Sequence, residues 1–181
     1  MEYLEYNDCV SVKKGFTLIE TLVIISILTL LTSFLILYSH GGERQIILLR
    51  EKAKLISTIL RAKSLSLNTL IEDEPGCGYG VGFEGTNYFI YKDLAGDCLN
   101  SDRLYSGPAS GERLENDVFN LDPALKFLQR DISDVLFVPP DPQVFLDGGQ
   151  SILEAVIALS TLDESSQTSI IINNAGQISS Q

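Results

Sequence analysis

Tryptophan is absent from this chain, and histidine and methionine occur once each. One histidine, His40, supplies neither a His-rich metal site nor a convincing catalytic triad. Cations are scarce too: 13 lysines and arginines stand against 24 acids, giving a net charge of −11. That balance repels phosphate, so no nucleic-acid partner is expected from general electrostatics. Cysteine is limited to Cys9, Cys77 and Cys98, an odd number that leaves a thiol over if all three persist. Length allows one ordinary domain with an appendage. Apolar residues make up 45% of the chain, but they are concentrated near its beginning.

That concentration is residues 16–38, FTLIETLVIISILTLLTSFLILY, in which Glu20 is the only charge. At about 1.5 Å per residue such a helix crosses a hydrocarbon core of about 30 Å. Lys13 and Lys14 precede it, and flanking cations stay on the cytoplasmic side. The N-terminus is therefore expected in the cytoplasm and the remainder exported, with a single span in the bacterial inner or cytoplasmic membrane. A cleaved secretory signal has a shorter apolar stretch and an Ala-x-Ala site, which this sequence lacks. A plain signal anchor explains the lysines and the apolar run. It does not explain Glu20, because a carboxylate in a membrane helix is costly and calls for a partner. Nor does it explain the Gly15–Phe16 junction.

Lys13-Lys14-Gly15-Phe16-Thr17-Leu18-Ile19-Glu20, running straight into an apolar helix, resembles the prepilin cleavage motif of type IV pilins and type II secretion pseudopilins. The resemblance implies that a prepilin peptidase cuts after Gly15 and methylates the new amine of Phe16. It implies that Glu20 pairs with that amine on a neighbouring subunit during assembly. The residue types suit these roles. Gly15 has no side chain to obstruct the cut, and Lys13 and Lys14 hold the site at the interface. A cationic amine and a carboxylate in apolar surroundings select a helix register, since either alone is strongly disfavoured. The leader also holds Glu2, Glu5 and Asp8, a departure from a basic leader, though acids count little in the positive-inside rule. Removal of residues 1–15 takes Cys9 away and leaves Cys77 and Cys98, the arithmetic of one exported disulfide. Closing that loop is worth about 3 kcal/mol in the chain-entropy model. Three free thiols are the other reading.

Residues 39–71 predict the amphipathic continuation of the helix. Leu49, Ala53, Ile56, Leu60, Leu67 and Ile71 recur at helical spacing, and Leu55, Ile59 and Ala62 widen the stripe. Arg44, Arg50, Lys52, Lys54, Arg61 and Lys63 fall around it. Gly41 and Gly42 make a weak point, at about 1 kcal/mol each, or else a turn between two helices. Glu72-Asp73-Glu74-Pro75-Gly76 stops the helix.

Residues 72–181 predict a β-rich head. Residues 79–83 and 87–92 form a hairpin bracketed by Cys77 and Cys98. Residues 135–138, 143–146 and 152–159 read as strands, the last with a short helix as alternative. Residues 169–172 and 177–179 form a final hairpin, and 121–130 hold at least a helical turn. The fold class is α+β and pilin-like: a long N-terminal helix, transmembrane then amphipathic, on a mostly antiparallel head. The head loosely resembles H-type minor pseudopilins and fimbrial T-type minor pilins, through the helix, the Gly78–Val81 stretch and the terminal hairpin.

No catalytic constellation, cofactor or metal is expected. Gly76-Cys77-Gly78-Tyr79-Gly80 follows a helix and precedes a strand, the reverse of a dinucleotide loop. Residues 93–97 and 131–134 are acidic enough for calcium but follow no ligand spacing. The resemblance implies a filament subunit of a pilus or pseudopilus, leaning to a minor one, with other subunits, a prepilin peptidase, an assembly ATPase and a membrane platform protein as partners. The alternatives are a tip adhesin, a DNA-uptake pilin, and a signal-anchored exported domain.

Overall fold

The computed structural model describes residues 15, 17–68, 76–140 and 143–181, and of residues 37–41 only the backbone. Helix α1 runs Leu18–Asn68. Nine strands follow: β1 Gly78–Glu84, β2 Asn87–Asp93, β3 Arg113–Asn120, β4 Leu125–Arg130, β5 Asp134–Val138, β6 Gln143–Leu146, β7 Glu154–Thr161, β8 Gln167–Asn173 and β9 Ile178–Ser180. The chain divides into two compact units, Met1–Gly41 and Gly42–Gln181, so the boundary falls between the two glycines inside α1. The helix stop read at 72–76 lies largely outside the described residues, as does Ile71.

In the first unit, Leu18–Ile36 is a helix apolar enough to cross a membrane, with none of it buried. It is the only such helix among the described residues.

In the second unit, residues 42–68 of α1 pack on two antiparallel sheets, an α+β, pilin-like arrangement. One sheet has the order β3-β2-β1-β5-β6 and the other β4-β7-β8-β9. Strand alternation sends Tyr79, Val81 and Phe83 of β1 to the main core, with Tyr88 and Ile90 of β2 and Val135 and Phe137 of β5. From the second sheet come Ala155, Ile157, Leu159, Ile170 and Ile172, and from the helix Leu48, Leu55, Ile59 and Ala62.

The opposite face of the first sheet is buried as well. Phe89, Tyr91, Leu136 and Phe145 make a smaller core there, covered by Tyr105. Gly80 and Gly82 of β1 lie beneath it. A Cβ at Gly80 would meet the Tyr91 ring at 2.5 Å, and one at Gly82 the Phe89 ring at 2.7 Å. The glycine-rich stretch is a strand that leaves room for these two aromatic rings.

Three sequence expectations need correction. Residues 125–130 form β4, not helix: Leu125 and Phe127, two apart, turn toward the core, and β4 pairs with β7. Strand β3 has no counterpart among the sequence expectations. Arg113–Asn120 carries few apolar residues because it is an edge strand, with only β2 beside it. The third concerns the helix. Leu55, Ile59 and Ala62 are buried as expected, but Leu49, Leu60 and Leu67 are 59%, 50% and 48% exposed. The buried stripe is Leu48, Glu51, Leu55, Thr58, Ile59, Ala62 and Ser66. Two faces of this helix have apolar residues at helical spacing, and only the sheets select one.

Candidate functional site

Gly15 is exposed, while Lys13, Lys14, Phe16 and Cys9 lie outside the described residues. Thr17 caps α1. Its hydroxyl accepts the Glu20 N–H at 3.3 Å. Its carbonyl accepts the Glu20 and Thr21 N–H groups at 3.1 and 3.2 Å. Thr17-x-x-Glu20 before an apolar run is a helix-start signal, and it places the start of α1 two residues after Phe16. The cap fixes Glu20 in the first turn. Unpaired backbone N–H groups make that end of a helix positive, which suits a carboxylate.

The remaining polar side chains of the segment are satisfied by its own backbone. Thr21 donates to Leu18 O, Ser26 to Leu22 O and Thr29 to Ser26 O. Thr32 donates to Leu28 O and Thr29 O, and Ser33 to Thr29 O. These five hydroxyls need nothing from outside the helix in lipid. Glu20 is the segment's only ionisable group, so it alone calls for an external counter-charge.

Residues 11–36 match the family described as the prokaryotic N-terminal methylation motif. The chain carries the N-terminal motif that marks type IV pilin-like and pseudopilin-like proteins. The match ends at Ile36 and includes Gly15, Glu20 and the apolar segment but not the head. No curated protein and no solved structure gives a significant match. The motif and the apolar N-terminal helix are those of type IV pilin-like or pseudopilin-like subunits, and they are consistent with a single-span membrane anchor.

In the head of the pilin-like chain, Cys77 and Cys98 are joined by a disulfide with Cα atoms 5.1 Å apart. It ties the start of β1 to the segment covering the smaller core. The same segment is held by three carboxylates. Asp93 accepts from the Ala95 N–H and, at 2.5 Å, from the Ser101 hydroxyl. Asp134 accepts from the Tyr105 N–H at 3.3 Å, and Glu112 from the Ser106 N–H at 2.8 Å. The Tyr105 ring lies 4.7 Å from that of Phe89 and 5.5 Å from that of Tyr91.

Burial pushes the Asp134 carboxyl up to about 6; the Tyr105 N–H opposes this, and Asp147 adds to it. Burial, then Asp134, raises the Tyr91 hydroxyl well above its ordinary value. The acidic stretches considered for calcium are engaged otherwise. Asp97 accepts from the Leu99 N–H and the Asn100 amide, and Asp131 from the Gln129 amide and the Val156 N–H. Among the described residues no cluster of three or more His, Cys, Asp or Glu is placed to hold a metal.

Proposed function

We propose that this chain is a prepilin: a peptidase cuts it after Gly15, the Phe16 amine is methylated, and the product assembles into a type IV pilus or type II secretion pseudopilus. The observation that carries the reading is the match over residues 11–36, with Gly15 exposed immediately before a capped apolar helix. In this reading Lys13 and Lys14 keep the leader at the cytoplasmic face, and residues 1–15 are discarded with Cys9. Glu20, fixed in the first turn, takes the Phe16 amine of a neighbouring subunit as its counter-charge. Repeated contacts of that kind give an open helical polymer. The head faces outward, its cover held by Cys77–Cys98 in an oxidising compartment.

The irregular, loop-rich head favours a minor subunit. Other subunits, a prepilin peptidase, an assembly ATPase and a membrane platform protein are the partners this role requires. The test is the intact mass and N-terminal residue of the chain from membranes containing an active prepilin peptidase. The expected product begins at N-methylated Phe16, and Gly15→Leu blocks its formation. A chain that keeps Met1 beside an active peptidase overturns the reading and leaves a signal-anchored exported domain.

A further inference from the structure

Residues 42–68 carry a second apolar stripe that the head does not cover. Ile46, Leu49, Ala53, Ile56, Leu60 and Leu67 recur three, four and seven residues apart, the spacing of a coiled-coil seam. Ile46, Leu49, Leu60 and Leu67 are 67%, 59%, 50% and 48% exposed. Each of these residues is exposed although Leu48, Leu55 and Ile59 beside them are buried, so the helix is apolar on two faces. Ala53, Ser57 and Ser64, small and exposed, allow close approach of another helix along this stripe.

What borders the stripe limits what can cover it. Arg50, Lys54 and Arg61 run along one side, and Lys52 and Lys63 along the other. Arg61 is neutralised by Asp117 at 2.8 Å, and Arg50 and Lys54 share the buried Glu51 at 3.9 and 3.7 Å. Among the described residues Lys52 and Lys63 reach only uncharged acceptors, Thr168 Oγ1 and Gly176 O. Both borders therefore keep uncompensated positive charge, and Glu43 is the only exposed acid on this part of the helix. A second copy of the same stretch fits poorly. Parallel pairing sets the Arg50 and Lys54 border of one copy against the Lys52 and Lys63 border of the other, and antiparallel pairing sets Arg50 toward Arg61 and Lys52 toward Lys63, like charges in either direction.

We propose that the stripe from Ile46 to Leu67 is the docking seam for an amphipathic helix of a different subunit, one whose own apolar seam is bordered by carboxylates. The chain would then enter its assembly through unlike neighbours and not by lateral self-pairing of this segment. This deepens the filament-subunit reading, and its test needs no peptidase, so either reading fails without the other.

The experiment places the full chain in lipid nanodiscs with two synthetic helical peptides. Both have a leucine and isoleucine seam; one has glutamates at the bordering positions and the other lysines. Binding is followed by fluorescence anisotropy. The glutamate peptide is expected to bind at least about tenfold more tightly than the lysine peptide. Added salt should narrow the gap. The double variant Leu49→Gln/Leu60→Gln, which alters exposed side chains only, should lose binding while its circular dichroism stays unchanged. Arg50→Glu/Lys52→Glu should reduce the preference for glutamate. Equal binding of the two peptides, no binding of either, or binding that survives Leu49→Gln/Leu60→Gln overturns the proposal. So does self-association of the full chain that Leu49→Gln/Leu60→Gln abolishes, which would give the seam to a second copy.

Discussion

Asp134 is a carboxyl group whose burial makes the head less stable at neutral pH. Its side chain sits at the start of β5, only 4% exposed, and it titrates at about 6 instead of 3.8. Below the lower value the group is protonated in both states and has no effect on the balance. Between the two, the unfolded chain has lost the proton and the folded one has kept it, so stability falls as pH rises. Above about 6 the full cost is present. At about 1.4 kcal/mol per unit, the shift corresponds to about 3 kcal/mol. Asp134→Asn removes the charge and retains an oxygen that can accept the Tyr105 N–H. Allowing about 1 kcal/mol for imperfect replacement of that bond, the variant is expected to be about 2 kcal/mol more stable than the parent at pH 7.5, equal to it at about pH 4.5 and about 1 kcal/mol less stable at about pH 3. At about 3 °C per kcal/mol for a domain of this size, the midpoint rises by about 6 °C. The assay is thermal unfolding of the detergent-solubilised chain, followed by near-ultraviolet circular dichroism of its seven tyrosines. Comparing variant with parent at each pH cancels the other titrating groups, including Asp163, which a Thr161 hydroxyl and Ser165 hold down at about 2. A difference that is constant with pH, or one that favours the parent at pH 7.5, refutes the reasoning.

Other substitutions test the rest of the fold. Cys77→Ser opens the Cys77–Cys98 loop, of sequence separation 21, and is expected to lower stability by about 3 kcal/mol in the same unfolding assay. Ile59→Ala should cost about 2–5 kcal/mol and Leu60→Ala well under 1, since the first is fully buried and its neighbour is half exposed; equal losses would misplace the helix. Gly80→Ala should destabilise by about 1–3 kcal/mol, because the added methyl meets the Tyr91 ring and the Val135 carbonyl oxygen, each at 2.5 Å, and Tyr91→Leu should relieve only the first of these clashes. Arg61→Ala leaves Asp117 buried without its cation and should cost about 1–3 kcal/mol in the same unfolding assay, whereas Arg61→Lys, which keeps a cation beside it, should cost less.

Some of this protein was fixed by residues close together in the chain. The apolar segment, its lone Glu20, the lysine pair and Gly15 can be read without a fold because membrane-spanning length and the motif of residues 11–36 are both properties of a linear stretch. The hairpin of β1 and β2, the β5–β6 pair and the β8–β9 pair were legible for a related reason: each is closed by a short turn, and its alternation shows locally. The disulfide pairing followed from counting cysteines under an assumed cleavage, and the structure joins Cys77 to Cys98.

Tertiary structure decided the rest. Edge position made a strand of polar Arg113–Asn120. Pairing with β7 made Leu125–Arg130 extended where its composition allowed a helix. Burial gave Gly80 and Gly82 their role as seats for Tyr91 and Phe89, and gave Asp134 its raised pKa. Above all, spacing alone could not say which of two apolar faces of residues 42–68 turns inward. A helix presents both with the same period, and only the two sheets, by covering Leu48, Leu55, Ile59 and Ala62, leave Leu49, Leu60 and Leu67 exposed.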